Sequence, residues 1–126
     1  MNWQGVVIHH SASPDVSANT IDRWHRERGF AEIGYHFVIR ANGDIEPARN
    51  WDSAGAHART GAPQSRNSTH LGICLAGNFE EHPPTLEQLN SLIHLTRGLV
   101  GRWDAKKIER HHERCPGPKF PWAFFV

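Results

Sequence analysis

Ten histidines in 126 residues exceed what packing alone asks for, and four of them stand as two doublets, His9-His10 and His111-His112, with Cys115 shortly after the second. A catalytic zinc takes three protein ligands of nitrogen, sulfur or oxygen type and leaves its fourth position to water. His9, His111 and Cys115 meet that requirement in kind. No Cys-x-x-Cys pair is present, so the pattern favours an open site over a closed structural one. Taken alone, the doublets also suit satisfied core or surface histidines, and Cys115 a small buried side chain. Spacing does not choose between these.

The elements that would carry these residues can be read from periodicity. Residues 5–12 (GVVIHHSA) form a short apolar run that predicts a buried strand, with His9 and His10 where it emerges from the sheet. Neighbours on a strand point to opposite faces, so one histidine of each doublet can face a shared metal. From 19 or 20 to 28, Ile21, Trp24 and His25 recur at helical spacing and Gly29 supplies the stop. Residues 35–40 and 44–47, joined by Asn42-Gly43, predict a hairpin with a two-residue turn. Residues 51–68 are rich in Gly, Ala, Ser, Pro and Asn and read as a long loop bordering a site.

A second buried strand is predicted over 71–76. The longest helix follows, capped by Thr85, with apolar residues at spacings of three and four up to Gly101. Residues 108–112 make a last strand, and Cys115-Pro116-Gly117-Pro118 turns the chain into an aromatic tail, Phe120, Trp122, Phe124 and Phe125, that packs on the core. The length fits one domain over residues 1–126, built of strands and helices in alternation.

Composition narrows the function. Fourteen Lys and Arg against thirteen Asp and Glu leave a formal charge of +1, so no basic stripe is available for nucleic acid, and a zinc nuclease is disfavoured. No stretch approaches the roughly 18 to 20 apolar residues of a membrane span, and the N-terminus has no signal-peptide pattern. The expectation is a monomer made in the cytoplasm, without membrane insertion.

Six segments, in order along nearly the whole chain, carry a family resemblance: VVIHHSAS (6–13), WHRERGFAEIGYHFVIRANGDIEPAR (24–49), GAHA (55–58), NSTHLGICLAGNF (67–79), TLEQLNSL (85–92) and HHERCPGPKFPW (111–122). Together they resemble the zinc N-acetylmuramoyl-L-alanine amidases of bacteriophage lysozymes and peptidoglycan recognition proteins. The resemblance implies an α/β fold, a central mixed β-sheet flanked by helices with a zinc cleft at one edge of the sheet, and hydrolysis of the amide bond between N-acetylmuramic acid and L-alanine in peptidoglycan or muropeptides. It also implies one Zn2+ held by His9, His111 and Cys115, and a phage or prophage endolysin that reaches the cell wall once another protein opens the membrane. Tyr35 falls on the family's Tyr beside the metal and the scissile carbonyl. His57, Trp51, Asn67 and Arg49 fall on groove positions, and His36 is a further candidate for contact with substrate.

One departure stands out. Phage relatives place more residues between the last His and the Cys, including a Lys two before the Cys that helps stabilise the oxyanion; here Glu113 holds that place. A carboxylate can act as a general base but not as an oxyanion donor. Lys119 or Arg114 is then the candidate cation. The alternative function is a non-catalytic peptidoglycan-binding module; in such modules the Cys ligand is typically replaced, and Cys115 is retained.

Overall fold

The computed structural model describes residues 2–58, 65–112 and 114–124. Two six-residue apolar runs, β1 (Gly5–His10) and β4 (His70–Leu75), are buried at every position. Such runs suit central parallel strands, which are covered on both faces. They pair in parallel, and β1 pairs in parallel with β5 (Lys107–Arg110) on its other side. β2 (Phe37–Ile39) lies parallel to β4, and β3 (Ile45–Pro47) returns antiparallel to β2. The result is a mixed sheet in the order β3-β2-β4-β1-β5. The five strands and their flanking helices realise the α/β expectation.

Strand alternation divides the side chains between two covering layers. Val6, Ile8, Phe37, Ile39, Leu71, Ile73 and Leu75 pack with Leu92 and Leu99 of α3 (Leu86–Trp103). Val38 and Cys74 on the other face pack with Ile21 of α1 (Ala18–Glu27). α1 starts at the Ser17 cap, and Gly29, at φ 94°, follows its C-terminal end, as the sequence reading expects. α3 starts with a capping box in which Thr85 and Gln88 exchange side-chain and backbone hydrogen bonds. Gln88 also donates from Nε2 to the carbonyls of Ile39 (3.1 Å) and Ala76 (2.8 Å), sewing α3 to the ends of β2 and β4.

Four local expectations change. The hairpin does not turn on two residues: Gly43 N–H donates to the Arg40 carbonyl, Arg40 N–H donates to Asp44, and only Gly43 of the Asn-Gly pair takes positive φ. That is the three-residue loop in which a left-handed Gly follows a tight turn. Residues 66–69, read as loop, form the short helix α2 (Arg66–Thr69) behind the Ser65 cap. α3 passes Gly101, because Trp103 still packs on the core and Asp104 takes the left-handed cap at φ 55°. His111 and His112 lie beyond β5 rather than in it. In the tail, Phe120 is buried and Trp122 packs on the core, while Phe125 lies outside the described residues.

His36 ties the sheet to the following loop. Its Nδ1 accepts from Gly72 N–H (3.0 Å) and its Nε2 donates to the Ser53 carbonyl (2.8 Å). The side chain is fully buried, and that burial lowers its pKa from 6.5 to about 4. Below about pH 6.5 the unfolded chain takes up a proton that the folded chain refuses, so stability falls with pH until about pH 4, a loss of about 3 kcal/mol. Urea unfolding between pH 7 and 4.5 should therefore steepen with acid more for the native chain than for His36→Gln; equal slopes would mean that His36 is not held neutral. In the same assay Gln88→Ala should cost about 2 kcal/mol, while exposed Glu87→Ala should stay within about 0.5 kcal/mol. Equal effects would remove Gln88 as the tie.

Candidate metal centre and cleft

Parallel pairing of β1 with β5 sets Ile8 against Arg110, so His9 and His111 leave the sheet side by side, with ring centroids 4.7 Å apart. The chain then doubles back, with His112 and Cys115 exchanging backbone hydrogen bonds of 3.1 Å in both directions. Cys115 Sγ arrives 3.6 Å from His9 Nδ1. One ligand atom from each of His9, His111 and Cys115 lies within 4.8 Å of the others, a possible His-His-Cys metal site. Tetrahedral zinc with Zn–N of about 2.05 Å and Zn–S of about 2.3 Å separates its N and S ligands by about 3.6 Å. The spacing of His9 and Cys115 fits this ion.

The protonation states suit ligation. Burial holds His9 well below the usual imidazole range, reinforced by His57 and His111 beside it. Burial also lowers His111 to about 4, so both rings are neutral at pH 7 with lone pairs to give. Burial pushes the Cys115 thiol up to about 11. Cys115 is therefore a thiol at neutral pH, and a cation bound there would displace its proton.

Behind the trio, His57 Nδ1 lies 2.9 Å from His9 Nε2, and His57 Nε2 lies 2.9 Å from the His70 carbonyl. Asn67 Oδ1 accepts from the N–H groups of both His57 and Ala58 at 2.7 Å, fixing the GAHA segment. His57 and Asn67 both line an opening beside the trio. Both ring nitrogens of His57 are already engaged by the protein, however, so its hydrogen-bonding capacity is not open to substrate.

Two openings meet at the trio. A cavity of about 440 Å³ is lined by His25, Arg28, Phe30, Tyr35, Ala56, His57, Ala58, Asn67 and His111. A second, of about 300 Å³, is bordered by His9, His10, Tyr35, Glu80, His111, His112, Arg114 and Cys115. Tyr35 borders both, its ring 5.0 Å from that of His9. Burial, aided by Cys74 and Cys115, keeps the Tyr35 hydroxyl far above its ordinary pKa, so it remains an O–H donor.

The other expected residues fall elsewhere. His36 is 0% exposed and spends both ring nitrogens on backbone groups, so it cannot meet a substrate. Trp51 stacks edge-on against Trp103 (5.1 Å) with Arg102 over its ring, and this draws it to the end of α3, away from both openings. Arg49 borders the Trp51 side as well. Lys119 is exposed, its backbone N–H tied to the Phe79 carbonyl, and it lies outside both linings. Glu113 lies outside the described residues. Arg114 is the cation bordering the second opening, loosely paired with Glu80 at 3.7 Å.

Sequence reasoning missed Arg28, Phe30 and Arg66. Arg28 sits over the Phe30 ring at 5.3 Å within the larger cavity lining. Arg66 of α2 donates to the carbonyls of Arg110 (3.0 Å) and His111 (2.8 Å), holding the exit of β5. No periodicity or doublet marks either arginine; Arg28 is revealed by its place in the cavity wall and Arg66 by contacts distant in sequence.

Comparison with known proteins places this geometry in context. A family described as N-acetylmuramoyl-L-alanine amidase matches residues 1–118. An endolysin of Klebsiella phage KP32 is 32% identical over 119 residues, covering 88% of this chain and 76% of the relative. The amidase LysC from Clostridium intestinale URNW superposes with a TM-score of 0.90 at 35% identity, over 98% of this chain and 83% of that one. A variant of Drosophila PGRP-LB in complex with tracheal cytotoxin superposes with a TM-score of 0.81 at 28% identity, over 94% and 77%. With motifs, fold and site geometry in agreement, the chain belongs to the N-acetylmuramoyl-L-alanine amidase family.

Proposed function

We propose that His9, His111 and Cys115 hold one zinc ion and that the protein thereby cleaves the amide bond between N-acetylmuramic acid and L-alanine in peptidoglycan or its muropeptides. The observation that supports this most directly is the 3.6 Å approach of Cys115 Sγ to His9 Nδ1, the edge length of a tetrahedral zinc site. The endolysin relatives support a lytic role at the bacterial cell wall, in a phage or prophage setting, with residues 1–126 acting as one domain. The retained Cys115 and the complete donor trio favour hydrolysis over a binding-only module.

When bound, zinc supplies a Lewis acid and an attacking water activated near neutral pH. The chain supplies the rest. Tyr35, held as a neutral hydroxyl between the two openings, is placed to donate to the scissile carbonyl oxygen as negative charge develops there. Arg114 adds positive charge at the rim of the smaller opening, the role Lys119 does not reach. The larger cavity, with Arg28 and Phe30 on its wall, takes the stem peptide. The amide C–N bond breaks, the acyl carbon gains the water oxygen, and the alanine nitrogen leaves as an amine after taking a proton.

The purified protein should carry one zinc per chain; chelation should abolish the release of new L-alanine amino termini from cell wall, and zinc should restore it. His9→Ala and Cys115→Ala should each lose stoichiometric zinc and activity, and retention of the metal in both would refute the ligand assignment. Tyr35→Phe should keep zinc while turnover falls on the order of 10²-fold, as for loss of one oxyanion donor. Unchanged turnover would leave Tyr35 a packing residue.

A further inference from the structure

The buried contact between His9 and His57 has a direction that the atoms around it dictate. The backbone carbonyl of His70 can only accept, so the His57 Nε2 that lies 2.9 Å from it must carry a hydrogen. A neutral His57 then has a bare Nδ1, and the His9 Nε2 that lies 2.9 Å from it must be the donor. His9 in turn is left with a bare Nδ1, the atom that faces Cys115 Sγ at 3.6 Å. The reverse polarity would need a doubly protonated His57, a charge costly to bury without a carboxylate beside it. We propose that His57 is a positioning residue that locks His9 in the Nε2–H tautomer, so that the His9 Nδ1 lone pair points permanently at the metal position. The inference rests on the zinc reading above and adds the group that prepares its first ligand.

The relay is anchored at its far end. His70 opens β4, is paired with Gly5 of β1, and is engaged by Thr69 and Glu109 through its ring. The His57 ring lies flat enough against β4 that a Cβ on Gly72 would come within 2.6 Å of its Cγ. Asn67 holds the His57 backbone from the other side. His57 therefore cannot turn its Nδ1 away from His9 without dislodging a strand residue or breaking the loop.

Partners of this kind, which orient a metal-binding imidazole through its other nitrogen, typically change metal affinity by 10- to 100-fold. The test begins with the metal-free full-length chain labelled with 15N at histidine. Long-range 1H–15N correlation at pH 7.5 should show both His9 and His57 protonated on Nε2 and bare on Nδ1; His9 protonated on Nδ1 would overturn the proposal. Zinc affinity by competition with a chelating dye should then fall about 10- to 100-fold in His57→Leu, which offers no acceptor. His57→Asn, which returns an oxygen near the Nδ1 position, should recover most of that loss. Equal affinity in native, Leu and Asn chains of matching near-ultraviolet circular dichroism would also overturn it. Should either variant fail to fold, the tautomer measured in the native chain decides. A native chain that binds no zinc would sink the zinc reading, while the tautomer measurement would still judge the relay.

Discussion

Everything at the cleft depends on β1 having parallel neighbours on both sides. Pairing with β5 in register Ile8 to Arg110 makes positions 9 and 111 adjacent although about a hundred residues separate them along the chain. Pairing with β4 in register Gly5 to His70 brings the start of β4, and the loop before it, alongside β1. Parallel strands release their carboxyl ends on one side of the sheet, where sites collect. A shift of β5 by one residue would turn His111 to the opposite face and dissolve the trio. The donor trio is thus a property of strand register first and of side-chain chemistry second.

The excess of histidine has a physical explanation beyond the metal. His10, His25 and His36 each accept a backbone N–H through Nδ1, from Phe79, Gly34 and Gly72 respectively, at 2.9 to 3.0 Å. An imidazole that is neutral at pH 7 satisfies such a donor without bringing a charge into the interior, as a carboxylate would. The two members of the first doublet divide the work: His9 faces the α1 side and the metal position, while His10 on the other face secures the entry to the 79–82 turn.

This division explains what the sequence could and could not reveal. The strands β1 and β4, both long helices and the donor trio were legible because each is written locally, as an apolar run, a cap with periodic leucines, or a pair of ring nitrogens at a strand exit. The groove was less legible. His36 and Trp51 sit in motifs shared with groove-forming relatives, yet burial of one and the stacking of the other on Trp103 and Arg102 take both away from the cleft. Arg66 carries no local signature, since its value lies in reaching carbonyls more than forty residues away.

The shortened segment between His111 and Cys115 follows from the same economy. Reciprocal bonds between His112 and Cys115 close a tight turn that delivers the thiol directly to His9. Arg114 within the turn is the cation that this segment presents to the opening. Its side chain is 85% exposed and faces Glu80 at 3.7 Å, so water screens much of its field. Tyr35 borders the same opening, and because burial keeps its hydroxyl protonated it offers a donor there that carries no charge for water to screen.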